Sequence, residues 1–549
     1  MLISLILDSG RVRLLTMAYL EVQAFERYQI ACRAGGAHYD AGTRGTFAPV
    51  DKVAGVVATL QRAGFAVRID PGVVAVVKRQ QEDDAALTAA ALGRVEAGPK
   101  LYPFQVKGVE WLSGRQRALL CDEMGLGKTI QLLTAAPTGP IVIVAPVKVK
   151  GNWLNELAKW RPDLQGVVLA GRDSFRWPRR NEAVIINYDV LPPCDAEVKK
   201  HNNGVRIMKS LGEDTMAECV DFPPEGVTLI GDECHRVKSS KSLRTQRFKD
   251  LAKKVLARNG RTWGATGTPL MNKPNELAVL CQVFGVWFES FGSWPRFLRL
   301  MGGKKLFWGG FEWGQPSQEA IECLKIVMLR RLRAQVLPDL PSKMWQIIDV
   351  DLESSTKNIA AAAEAALAEA GISLEAAVLE GRMGAAFEQI SRARKALATA
   401  KIPAMLEEIE TYEEEGEPLV VFSAHRPPID ILRGRPGWLV ITGSESASQV
   451  EAAKQAFQNG DLKGLGVTIR AGGEGITLTR ACHALFVDLE WGPTVNQQAE
   501  DRLCRIGQSR SVLIKQLIAP GTLDARVQEI LSGKAGMIRN TIDRAAVDG

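Results

Sequence analysis

An apolar run at residues 118–121 leads into Asp122-Glu123-Met124-Gly125-Leu126-Gly127-Lys128-Thr129, and a helical pattern at residues 129–133 follows. Strand, glycine-bearing turn, Lys-Thr and helix, in that order, form a phosphate-binding loop. Such a loop commits the surrounding chain to a βα unit on a parallel sheet. Gly125 and Gly127 let the backbone approach phosphate oxygens with no Cβ in the way. The backbone N–H groups of Glu123, Met124, Leu126 and their neighbours, with the helix N-terminus, then face the anion. Lys128 supplies a point charge for the β/γ-phosphates and Thr129 a hydroxyl for magnesium. The pattern G-x-x-x-x-G-K-[ST] asks for glycine at 122, where this chain has Asp122. Alone, the stretch also reads as a glycine turn capping a helix.

The α/β rhythm continues on both sides. Strand patterns fall at 141–145, 167–169, 184–186, 227–230 and 262–265. A second set falls at 419–423, 438–441, 467–470, 485–488 and 512–517, with helices at 448–458, 494–506 and 523–531. Strands alternating with helices imply doubly wound sheets, whose ligands sit at the C-terminal ends of the strands. The fold class expected is therefore α/β: two doubly wound parallel-sheet lobes, a helical insertion and connector, and a small α+β N-terminal module. In that module, 26–33, 45–47, 65–69 and 73–77 read as strands and 51–63 as a helix, a ββαβ-type unit. Residues 80–98 are polar and Ala-rich, and Gly98-Pro99 marks a boundary. Residues 281–345 break the rhythm with Trp287, Trp294, Trp308 and Trp313. Residues 355–415 have helical spacing, broken near Gly371 and at 381–384, and end in an acidic run. The domains expected are 1–98, a first lobe at 99–345 with the 281–345 insertion, a connector at 346–415, and a second lobe at 416–549.

A chain of 549 residues exceeds one core. Its net charge of +7 fits a polyanionic partner without demanding one. The nine cysteines are scattered with no C-x-x-C pair, so they read as free thiols in a reducing compartment, with no zinc site. No run approaches the ~20 apolar residues of a membrane span. The apolar residues 1–7 lack a basic n-region and are broken by Asp8, so they do not make a signal peptide. Translation from Met17 is the plain alternative for that stretch.

Asp232-Glu233-Cys234-His235 ends an apolar strand in two carboxylates. Asp232 is placed to hold hydrated Mg²⁺ and Glu233 to deprotonate an attacking water. The bland reading is an acidic helix N-terminus. Gln498, Arg502 and Arg505 are spaced i, i+4, i+7, one face of the helix expected at 494–506. Two arginines there can reach phosphates bound to a facing lobe. The bland reading is a solvated face with an Asp501–Arg505 pair. Residues 265–269 end a strand with Thr266 and Thr268 in a tight turn able to sense nucleotide or grip a nucleic-acid backbone.

Taken together, the motifs resemble the Swi/Snf-type DNA-translocase family of superfamily two. The likeness runs in order through residues 101–112, 122–131, 232–235, Gly267-Thr268-Pro269, 328–331 with 336–341, 471–479, 488–491 and 498–508. Asp122 is what this family carries in place of the leading glycine. Cys504 replaces its usual histidine. Within the family, the small annealing-helicase branch is the nearest likeness. Residues 36–65 resemble its HARP-type substrate-recognition domain, with Arg33, Arg44, Lys52, Arg62 and Arg68 as candidate phosphate contacts.

The resemblance implies two RecA-like lobes closing on ATP and Mg²⁺, with duplex or forked DNA across both and little sequence preference. It assigns Gln105 to adenine recognition, Gly475 and Gln498 to motifs of the second lobe, and Arg502 and Arg505 to the arginine fingers. A monomer working in the cytoplasm, on the nucleoid when bound to DNA, is expected in a bacterial or virus-infected cell. The rival readings are a strand-separating DNA or RNA helicase and a non-catalytic nucleic-acid-binding module.

Overall fold

The computed structural model describes the chain except for residues 1, 9–10, 17–20, 36, 41–44, 49, 172–173, 195–222, 271–272, 307–309, 357, 359–360, 363–364, 366–384, 473–475 and 548–549. Gly475, Trp308, Arg44, Gly36, Gly371 and the break at 381–384 therefore lie outside the described residues.

The N-terminal module is a five-stranded sheet. Its strands are β1 (Leu2–Asp8), β2 (Arg11–Thr16), β3 (His38–Asp40), β4 (Gly45–Ala48) and β5 (Ala66–Ile69), in the order β3-β4-β2-β1-β5. The apolar N-terminal stretch is thus a central strand, and a start at Met17 would remove β1 and β2 with the buried Ile3, Leu5, Val12 and Leu14. Two expected strands are helices instead. Residues 26–33 lie in the helix Val22–Gly35, and 73–77 open the helix Pro71–Ala97. Asp70 caps the latter, accepting from the Gly72 N–H at 2.8 Å, with Pro71 in the first turn. The polar, Ala-rich stretch up to Ala97 is the body of this helix, which ends at the expected Gly98-Pro99 boundary. Arg94 near its end donates to the carbonyls of Thr134 and Ala136, both at 3.0 Å. It thereby caps the phosphate-loop helix Lys128–Ala135.

The first lobe carries β6 (Arg117–Leu120), β7 (Ile141–Val144), β8 (Gln165–Val168), β9 (Glu182–Ile186), β10 (Thr228–Asp232) and β11 (Arg261–Ala265). The insertion adds the hairpin β12 (Gly303–Lys305) and β13 (Phe311–Trp313), after which β14 (Met328–Leu329) rejoins the sheet. The order is β14-β6-β11-β10-β7-β9-β8, with every pairing parallel. Alternate strand residues enter two cores. Leu119, Val142, Val144 and Leu229 face one, and Leu120, Ile141, Ile143 and Ile230 face the other. That is a doubly wound sheet covered on both faces. The insertion's aromatics form an extension of the first core. Phe297 lies 5.6 Å from Trp287, 5.3 Å from Trp294 and 5.8 Å from Trp313 between ring centroids.

The second lobe holds β15 (Lys343–Asp349), β16 (Leu419–Ser423), β17 (Trp438–Ile441), β18 (Gly464–Thr468), β19 (His483–Phe486) and β20 (Val512–Ile518). Its order is β15-β20-β19-β16-β18-β17, again all parallel. β15 straddles the boundary expected at 345. The helices Ala385–Ala400 and Ile402–Glu415 send Ile390, Leu397, Met405 and Ile409 into this lobe's core beside Leu419 and Val421. The helix expected at 494–506 ends early, spanning Pro493–Glu500, so Arg502 and Arg505 stand on the turns beyond it.

Candidate active site

Three neighbouring strands end together. β6 runs into the phosphate loop, β11 into Thr266-Gly267-Thr268, and β10 into Asp232-Glu233, and these are contiguous in the sheet. Topology thus converges segments that lie far apart in sequence at one C-terminal edge.

Gly127 has φ +72 and caps the helix that begins at Lys128, while Gly125 has φ +82. At both positions a side chain would strain the backbone. Lys128 Nζ donates to the carbonyls of Asp122 at 2.9 Å and Glu123 at 3.2 Å. Burial pulls the Lys128 ammonium below its usual range, and the carboxylates of Glu233, Asp122 and Asp232 pull it back up. Gln105, expected at adenine, is buried beneath the loop. It accepts from the Tyr102 N–H at 3.0 Å and donates to the Leu126 carbonyl at 3.3 Å.

Asp122 is fully buried and faces Arg331, which donates Nε to Oδ1 at 3.0 Å and Nη2 to Oδ2. Gln131 Nε2 adds a bond of 3.2 Å. The carboxylate that replaces glycine therefore ties the phosphate loop to the chain leaving β14.

Asp232 Oδ2 accepts from Trp153 Nε1 at 2.7 Å and Oδ1 from the Glu233 N–H at 2.9 Å, and its carbonyl accepts from the Tyr188 hydroxyl at 2.7 Å. Each carboxylate oxygen keeps a lone pair for a cation. Burial, then the neighbouring Glu233, pushes Asp232 above the ordinary carboxylate range. Burial pushes Glu233 the same way, but His235, Lys128 and Arg502 outweigh it and hold Glu233 low. Glu233 has a left-handed backbone, φ +47. A non-glycine residue there stores strain, a feature that concentrates at working sites. Its Oε2 lies 3.2 Å from His235 Nδ1 and is a buried oxygen that accepts no hydrogen bond from the described residues. His235 Nδ1 pairs instead with Thr266 Oγ1 at 3.0 Å, and Thr266 Oγ1 accepts from the Thr268 N–H at 3.1 Å. The acid pair and the hydroxyl turn are thereby joined.

The second lobe meets this edge. A Cβ on Gly125 would lie 3.6 Å from Arg505 Cγ, so Arg505 packs against the phosphate loop. Arg505 Nε donates to the Asp501 carbonyl and Nη1 to Thr477 Oγ1, both at 3.1 Å. The Asp501–Arg505 contact is thus made to backbone, not between charged groups. Arg502 is buried, donates Nη1 to the Ile476 carbonyl at 3.4 Å, and acts electrostatically on Glu233. Burial lowers both guanidiniums, Arg502 to about 10 and Arg505 to about 9. Gln498 is buried on the preceding helix, and Thr129 is half-buried at the start of the loop's helix.

Sequence reasoning missed Trp153, Tyr188, Arg333 and Lys343. Arg333 donates its backbone N–H to Glu123 Oε2 at 2.7 Å and Nη2 to Asp501 Oδ1 at 2.6 Å, and Lys343 Nζ donates to Glu500 Oε2 at 3.2 Å. Burial opposes the Arg333 charge, but Asp501 and Glu123 raise it well above its ordinary value. Their partners are far away in sequence, so no spacing signals them. The only trace was a basic cluster, Arg330-Arg331-Leu332-Arg333, at the end of an apolar strand.

The SNF2-related domain family matches residues 104–397, and the helicase conserved C-terminal domain matches residues 400–507. The chain is 30% identical over 466 residues to the mouse DNA annealing helicase and endonuclease ZRANB3, covering 81% of this chain and 41% of that protein. It is 31% identical over 471 residues to the Xenopus tropicalis SWI/SNF-related matrix-associated actin-dependent regulator of chromatin subfamily A-like protein 1, covering 80% and 45%. The chain thus spans less than half the length of these curated relatives. The Sulfolobus solfataricus SWI2/SNF2 ATPase core in complex with dsDNA aligns over 81% of this chain and 94% of that one, at 22% identity and a TM-score of 0.34.

Proposed function

The chain belongs to the SNF2-related family of helicase-like ATPases, and from that membership we propose that it hydrolyses ATP to move along duplex or forked DNA, annealing strands at a fork. The observation that supports this most directly is Arg505 of one lobe lying against the phosphate loop of the other, with Arg502 in electrostatic reach of Glu233.

In this reading the loop residues 123–129 and Lys128 hold the triphosphate, and Gln105 braces the loop beside adenine. Thr129 and Asp232 would hold Mg²⁺, which when bound would offset phosphate charge. Glu233 takes the proton of the attacking water, and Arg502 and Arg505 stabilise charge spreading onto the phosphoryl group. Gly475 and Gln498 belong to the second lobe's coupling motifs. Closure assembles the site, and reopening advances the protein along the backbone. The first unit, residues 1–98, would recognise DNA structure. The second lobe begins at β15 rather than at 416. The protein works as a monomer in a reducing compartment that contains DNA. Among the described residues, no helix is long and apolar enough to cross a membrane.

The test is ATP turnover against single-stranded, duplex, forked and RNA cofactors. Turnover stimulated by duplex or forked DNA is expected. Stimulation by RNA with displacement of a paired strand would favour the helicase reading instead. Arg505→Ala should retain ATP binding and lose roughly 10³-fold or more in turnover.

A further inference from the structure

Arg333 lies in the segment between β14 of the first sheet and β15 of the second. Its contacts run in both directions. Toward the first lobe, its backbone N–H meets Glu123 Oε2 at 2.7 Å and its Nη2 meets Glu123 Oε1 at 3.1 Å. Toward the second, Nη2 meets Asp501 Oδ1 at 2.6 Å and Nη1 meets the Cys504 carbonyl. Glu123 belongs to the phosphate loop. Asp501 and Cys504 immediately precede Arg502 and Arg505.

The helix before these arginines stops at Glu500, so no regular element fixes their direction. Leu478 and Gln508 hydrogen-bond the turn's own backbone, and Asp501, fully buried and clamped by Arg333 and Lys343, ties it to the segment from the first lobe. The two arginines before Arg333 do other work. Arg330 reaches the carbonyls of Cys121 and Gly267 together with Asp543, and Arg331 reaches Asp122.

We propose that Arg333 is the positioning residue for Arg502 and Arg505: it registers the turn that carries them against the phosphate loop, without itself touching nucleotide. The inference rests on the reading of Arg502 and Arg505 as the groups that complete ATP hydrolysis. A guanidinium is a planar fork that can meet two carboxylates and a carbonyl at once, and an ammonium on a lysine stem does not reproduce that geometry. Charge alone is therefore insufficient at this position.

The experiment compares Arg333→Lys, Arg333→Ala, Arg505→Ala and the Arg333→Ala/Arg505→Ala double variant at saturating duplex DNA. It measures kcat, KM for ATP, affinity for a fluorescent ATP analogue, and fold by circular dichroism. Both Arg333 variants should lose about ten- to a hundredfold in kcat, the scale of a misplaced catalytic group. KM and analogue affinity should stay within about threefold. The double variant should lose less than the product of the two single losses, because Arg333 acts partly through Arg505; the remainder reports Arg502. Arg333→Lys with wild-type kcat, or losses that multiply in the double variant, would overturn the assignment. If Arg333→Ala fails to fold, Arg333→Lys decides by the same criteria. Arg505→Ala with wild-type turnover removes the underlying reading and the role of Arg333 with it. A defective Arg505→Ala beside a normal Arg333→Lys removes only the role of Arg333.

Discussion

Asp122, fully buried, and Asp232, half-buried, both stand at strand ends, and their partners give them opposite roles. Asp122 has a bidentate arginine and an amide, so it is a structural tie that leaves the loop's anion-binding N–H groups alone. Asp232 has neutral hydrogen-bond donors and a carboxylate neighbour, and the Lys128 ammonium nearby offsets its negative charge only in part. That is the situation a cation relieves. Its pKa is raised, so it takes up a proton at higher pH than an ordinary aspartate, and protonation removes the charge that attracts the metal. The magnesium concentration for half-maximal ATP turnover should therefore rise as pH is lowered from about 8 to about 6, which a magnesium titration at several pH values measures. Unchanged half-saturation across that range would count against Asp232 as the metal's holder. The residue types at 122, 128, 232, 233, 502 and 505 were legible as chemistry. The partners that set their charge were not, because Trp153 and Arg331 reach them across the fold.

At the scale of elements, periodicity misled where a helix was short of buried contacts. Residues 26–33 alternate because Ile30 falls between Tyr28 and Cys32, yet Ile30 is 66% exposed while Tyr28, Ala31 and Cys32 are buried at helical spacing. In residues 73–77, Val73 is buried and Val74 is 52% exposed, again a helical face. The signal that would have corrected this second case was local: Asp70-Pro71, a cap followed by a residue suited to the first turn. The parallel strands were legible because strands buried on both faces read as continuous apolar runs, as 141–144 does. The early end of the helix at Glu500 was not legible, since a tertiary clamp on Asp501 decides it. The role of β1 as a central strand yields a test. Removing residues 1–16 would strip β5 of its neighbour and β4 of one of its two, and expose the module's core. Limited proteolysis should then cut rapidly within residues 21–69 while the two lobes persist. A protease-resistant module in the shortened chain would refute the importance of this hairpin.

For the whole molecule, the first lobe's strand ends meet the second lobe's turn that carries Arg502 and Arg505, and the charges that matter lie at this seam. A protein that follows a phosphate backbone across such a cleft gains affinity mainly by releasing counterions. Affinity for duplex DNA should therefore fall linearly with salt on logarithmic axes, with the same slope for unrelated sequences. Fluorescence anisotropy between about 50 and 200 mM salt would measure this, and a slope that changed with sequence would point to base reading instead. β14 and β15 are the outermost strands of their two sheets, and only residues 330–342 separate them in the chain. Thirteen residues reach at most about 45 Å when drawn straight. This strip is a leash sewn at each end into a rigid plate, so its covalent length bounds how far the two sheets can part. Whatever excursions the proposed function demands, the two sheets would make them within that reach.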